Sequence, residues 1–118
     1  MLVLLIINET ATDFSARTDP ARAPAYWAGW KAYSEALAAA GVVRGGGALA
    51  PPAAAATLRI RGDQRTVHDG PYADTKEILG GYLVLEVPDT DTALAWAARC
   101  PTAATGSVEV RPILPMHG

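Results

Sequence analysis

Ten consecutive residues, His68 to Glu77 in "HDGPYADTKE", concentrate His68, Asp69, Tyr72, Asp74, Lys76 and Glu77 directly ahead of an apolar run. Imidazole and carboxylate side by side are the parts of a general acid–base unit. Adjacent residues of a regular strand point to opposite faces, so His68 and Asp69 can meet only where the strand breaks. Gly70-Pro71 supplies a break, since glycine reaches backbone angles closed to other residues and proline restricts its predecessor. His68 and Asp69 are therefore the candidate catalytic pair. The competing structural role has Asp69 accepting hydrogen bonds from the turn.

Cations near this pair would serve an anionic ligand or a developing negative charge. Lys76 is one candidate. Arg111 is another, because in "SVEVRPIL" it alternates with Val108 and Val110 and so points away from the core side of its strand. Tyr72 stands inside the cluster, and Tyr26, Trp27 and Trp30 could wall a pocket for a flat ligand, although aromatic residues at helical spacing more often fill a core. Metal ligation is not expected, since His68 and His117 are the only histidines and no CxxC or HxxxH spacing occurs. Gly45-Gly46-Gly47 fits neither a P-loop nor a dinucleotide fingerprint, so no cofactor is expected; three bare glycines suit a bulge or a close approach of backbone to a strand or ligand.

The elements that must carry these residues follow from periodicity. Leu2 to Ile7 reads as a strand buried on both faces, and the polar stretch from Asn8 to Asp19 reads as a mobile loop. Trp27, Trp30, Ser34 and Leu37 recur at helical steps in the segment from Pro20 or Pro24 to Ala40, which marks an amphipathic helix with proline in its first turn and Gly41 at its stop. "VVRGGGALAPP" is a short glycine-rich strand, and "TLRIRGDQRTVHD" is a β-hairpin turning at Gly62-Asp63. "GGYLVLEV" is the most strand-like run, with Leu83, Leu85 and Val87 on one face. "DTDTALAWAARCP" forms a second helix with Leu94 and Trp96 on its apolar face, and a last strand follows.

The order β-α-β-hairpin-β-α-β is that of a ferredoxin-like split βαβ unit, an α+β fold with both helices on one face of an antiparallel sheet. The open face would expose more apolar surface than a soluble monomer tolerates, so a homodimer enclosing a barrel-like interior is expected. The 118 residues make one domain, spanning 1–118. With 19% charged residues, a net charge of −2 and scattered Lys and Arg, nucleic-acid binding is not expected. "MLVLLII" lacks the cationic flank and length of a signal peptide, no run is long enough to span a bilayer, and the lone Cys100 reads as a buried hydrophobe, so the expected location is the cytoplasm.

From "DGPYADTKEILGGYLVLEV" the chain resembles the DGPF-domain branch of the YCII-related family, which is similar to "DGPFAETKEQLGGYYLIDV" at this point. The likeness extends through "AAGV", "ALAPP", "DTALAWAARCP" and "GSVEVRPI", with Tyr72 in place of Phe and Asp74 in place of Glu. The resemblance implies the same fold, dimerising into an α/β barrel. It also implies a site built on a His and Asp pair, and in one branch a dehydrochlorinase acting on a hydroquinone-type substrate. In that group the His sits near the start of the first helix; here "PARAPAYWAGW" has none, leaving Asp69 with His68 as the available imidazole.

Two functions are consistent with these features. One is a cofactor-independent enzyme performing elimination, isomerisation or hydrolysis on a small aromatic or enolisable molecule. The other is a non-catalytic module binding a ligand or a partner, which the resemblance extends to an extracytoplasmic-function sigma factor.

Overall fold

The computed structural model describes residues 1–71 and 76–116. Strands β1 (Leu2–Thr10), β2 (Val43–Ala48), β5 (Glu77–Glu86) and β6 (Ser107–Pro112) form one antiparallel sheet in the order β2-β5-β1-β6. Helices α2 (Ala23–Ala40) and α3 (Thr90–Arg99) pack on the same face of it, and a short helix α1 (Ala11–Ser15) follows β1. Among the described residues, strands β3 (Ala56–Arg61) and β4 (Gln64–Asp69) pair only with each other, as a separate two-stranded arm. This is the ferredoxin-like α+β arrangement with an inserted hairpin.

The core is set by alternation along β1. Val3, Leu5 and Ile7 are buried against Tyr33 and Leu37 of α2, Ala93 and Ala97 of α3, and Leu85 of β5. Leu2, Leu4 and Ile6 point to the other face and stay partly exposed. The strand is thus buried on one face rather than two, because both long helices lie on one side. The short apolar faces of α2 and α3 are enough to seal that side: Leu5, Leu37 and Leu85 are completely buried.

Local chemistry explains the boundaries. Asp89 caps α3, its side chain accepting from the Thr92 N–H at 2.8 Å. Gly41 ends α2 at φ 70° and Gly62 turns the arm at φ 64°, both in the left-handed region that favours glycine. On α3 the small Ala93 and Ala97 face the core, with Trp96 packed at its margin, while Leu94 is 51% exposed. Leu94 is therefore not on the packed face, which is carried by the wholly buried Ala93 and by Ala97 instead. Cys100 is buried, and burial pushes its thiol above the usual range.

The largest departure from the sequence reading lies at residues 8–19, which are ordered throughout. Asn8 to Thr10 extend β1, and Thr10 caps α1 by accepting from the Asp13 N–H at 3.1 Å. Arg22 then ties α1 to the start of α2, donating to Thr12 O at 3.0 Å, Ser15 Oγ at 2.7 Å and Asp19 Oδ2 at 3.1 Å. The polar residues that suggest a solvated loop satisfy one another instead. Among the described residues no helix is long and apolar enough to cross a membrane.

Candidate functional site

Glu9 occupies the next core-facing position after Val3, Leu5 and Ile7, so β1 carries a carboxylate into the layer between sheet and helices, where it is 1% exposed. A buried charge must be paired. The partner is Arg17, whose Nη2 lies 3.2 Å from Glu9 Oε2. The turn Ala16–Thr18 after α1 brings it there. Its guanidinium is almost fully engaged: Nη1 donates to Leu49 O at 2.7 Å, Nη2 to Gly80 O at 2.7 Å, and Nε to Tyr26 Oη at 3.0 Å. Phe14 stacks on it, with the cation 4.2 Å from the ring centre.

Tyr26, in the second turn of α2, completes the cluster by donating its hydroxyl proton to Glu9 Oε1. Burial first, and then the hydrogen bond to Glu9, push the Tyr26 hydroxyl up to about 12 despite the opposing effect of Arg17. Among the described residues Glu9 Oε2 accepts no hydrogen bond; Arg17 Nη2 lies 3.2 Å from it, within charge attraction. Space for this carboxylate exists because residue 80 is glycine. A Cβ there would stand 2.7 Å from Glu9 Oε2 and 3.0 Å from Arg17 Nη2.

Beside the cluster opens a cavity of about 390 Å³ between α2 and the β2–β5 edge of the sheet. On its sheet side lie Gly46, Gly47, Gly80 and Gly81 beside Ile7 and Leu83, and on its helix side Tyr26, Trp27 and Trp30, with Arg17 at the base. Tyr26 and Trp27 meet edge to face at 4.8 Å, and the Trp27 indole N–H donates to Arg17 O at 3.2 Å, which fixes both rings. A glycine floor opposite aromatic walls makes a slot suited to a flat ring. The three glycines of β2 thus serve both roles open to them: the register shifts between Val43 and Gly45, and Gly46 and Gly47 line the cavity.

Of the residues singled out from sequence, Tyr26, Trp27 and Trp30 line this cavity. His68 and Asp69 lie at the end of β4, exposed on the arm and paired in register with Thr57 and Ala56. As consecutive strand residues they face opposite ways, and neither lines the cavity. Lys76 is exposed just ahead of β5. Arg111 projects from the face of β6 opposite the helices and pairs with Glu109 at 2.6 Å. Tyr72 and Asp74 lie outside the described residues, as does His117. Glu9 and Arg17 were hidden in the segment that reads as a loop, although continuing the Val3-Leu5-Ile7 alternation by one step would have flagged Glu9.

Tyr33 adds a second buried hydroxyl, donating to Trp96 O at 2.8 Å, and burial raises its pKa strongly. Both tyrosines hold their protons more tightly folded than unfolded, so their contribution to stability is complete below pH 10 and declines as pH rises toward 12, the folded value for Tyr26. The melting temperature is expected to fall over that interval in wild type. In a Tyr26→Phe, Tyr33→Phe double variant the fall should be shallower; an equal slope would show that other groups govern alkaline unfolding.

A search of solved structures finds a 5-chloro-2-hydroxyhydroquinone dehydrochlorinase from Burkholderia phenoliruptrix AC1100, in complex with 2,5-dihydroxybenzoquinone. Its chain superposes with a TM-score of 0.56 at 21% identity, covering 100% of this chain and 96% of the other, which establishes the shared fold. Among curated proteins, an uncharacterized protein of Rhizobium meliloti (strain 1021) is 45% identical over 67 residues. That match spans 55% of this chain and 54% of the relative, about half of each. The YCII-related domain matches residues 1–117, and the chain belongs to that family.

Proposed function

We propose that this protein is a cofactor-independent enzyme acting on a small, flat, hydroxylated ring held in the cavity between α2 and the β2–β5 edge. The observation that carries the reading is the slot itself. A floor of four glycines faces three aromatic side chains, and a buried Glu9–Arg17–Tyr26 cluster adjoins it. Tyr26 is the group that exchanges a proton with the ring. As Tyr26 Oη takes a proton from a ring hydroxyl or acidic ring carbon, its own proton passes to Glu9 Oε1, so the negative charge moves from the carboxylate to the ring beside Arg17. The dehydrochlorinase with the same fold, named for 5-chloro-2-hydroxyhydroquinone, supports elimination or isomerisation on a hydroxylated ring as the reaction class.

The reading includes a homodimer. Leu2, Leu4, Ile6, Tyr82 and Val84 share the face of the sheet that neither helix covers. On the arm, Leu58, Ile60 and Val67 are 52%, 58% and 52% exposed, and an isolated two-stranded hairpin is marginally stable at best. The radius of gyration, 16.2 Å, exceeds the roughly 13.5 Å expected for a compact chain of this length. A second copy placed against the open face would cover these groups, and Arg111 would then face the shared interior. His68 and Asp69 enter catalysis in this arrangement through the arm, at a site completed by the partner.

The direct test is turnover of a panel of chlorinated and unchlorinated hydroxyhydroquinones, followed by absorbance, with binding read from quenching of Trp27 and Trp30 fluorescence. Asp69→Asn separates the contribution of the arm. Turnover should fall at least about ten-fold while sedimentation still reports a dimer; unchanged turnover removes Asp69 from the mechanism.

A further inference from the structure

Beside Tyr26, the residues of α2 that line the cavity are Trp27, Trp30, Lys31 and Ser34, an i, i+3, i+4, i+7 stripe of one helix face. The two tryptophans account for a ring. Lys31 and Ser34 are not needed for that, and the cluster of Glu9, Arg17 and Tyr26 does not use them.

Charge distinguishes the two cations of the cavity. Arg17 is matched by Glu9 at 3.2 Å and committed to two carbonyl groups and Tyr26, so its field toward a ligand is largely compensated. The counterpart of Lys31 is Glu35, one turn on, at 4.0 Å, with the two side chains 79% and 68% exposed. Exposed pairs at that separation are weak. Among the described residues no carboxylate lines the cavity. A ligand entering it meets a lightly held ammonium and the Ser34 hydroxyl at the outer edge.

Resting on the reading of the cavity as a ring slot, we propose that Lys31 and Ser34 form an anion-recognition edge, which makes the substrate a flat ring carrying an ionised oxygen. The ring lies on the glycine floor with one oxygen toward Tyr26. Its ionised oxygen lies at the outer edge against the Lys31 ammonium.

The test uses 4-nitrophenolate, an ionised flat ring that quenches indole fluorescence, beside 4-nitroanisole, a neutral ring of nearly the same shape, at a pH where the phenol is ionised. Wild type should bind the phenolate about ten-fold more tightly than the anisole, the worth of one charge-assisted hydrogen bond. Lys31→Met, which keeps the stem, should abolish that preference without changing anisole affinity, and Lys31→Arg should restore most of it. Equal affinity for both rings in wild type, or a phenolate preference that survives Lys31→Met, overturns the assignment while leaving the ring slot intact. Quenching by neither ring overturns the slot reading together with it.

Discussion

Arg17→Met should lower the free energy of unfolding by about 3–5 kcal/mol, because it strands the Glu9 carboxylate in an interior where it is 1% exposed. The loss has three parts that act in one place. The ion pair at 3.2 Å disappears, the Leu49 and Gly80 carbonyls lose a donor each, and Tyr26 loses the Nε–H that orients its hydroxyl. Methionine fills much of the volume but offers no donor. Adding Glu9→Gln removes the stranded charge, so the double variant should recover a substantial fraction of the lost stability. Urea unfolding of the two single variants and the double gives the coupling directly. A cost below about 1 kcal/mol for Arg17→Met would mean that water reaches the carboxylate and that the cluster is not a buried site.

Tyr26→Phe should reduce kcat/KM by about 10²–10⁴ on any ring the enzyme turns over, the range for losing a positioned proton-transfer group. The substitution removes one oxygen and leaves the ring that forms the wall, so ring binding, read by tryptophan quenching, should change little. It also withdraws the donor from Glu9 Oε1, a stability cost of about 1–3 kcal/mol that a melting curve measures separately. A loss of turnover with retained binding assigns the hydroxyl to the chemical step. Retained turnover would reduce Tyr26 to a wall of the slot and leave Glu9 and Arg17 as a structural pair.

The fold could be read from the sequence because its determinants are local. The alternation of "GGYLVLEV", the helical spacing from Trp27 to Leu37, the Asp89 cap and the Gly62 turn each act within a few residues, and together they order the elements. The site could not be read the same way. Its members come from residues 9, 17, 26, 46–47 and 80–81, joined only when β5 pairs with both β1 and β2. Local density pointed instead to "HDGPYADTKE", whose first two residues the structure carries on the exposed arm. "NETATDFSAR" looked like a loop because its polar residues give no periodic signal, and periodicity cannot show that polar groups satisfy one another in space.

A crystal structure of the protein with 2,5-dihydroxybenzoquinone tests the central claim most directly. The ring should lie on the backbone of Gly46, Gly47, Gly80 and Gly81, beneath Trp27 and Trp30, with one oxygen within hydrogen-bonding distance of Tyr26 Oη and another facing Lys31. A ring bound elsewhere, or a cavity left empty at saturating ligand, would contradict the assignment of this cavity as the active site.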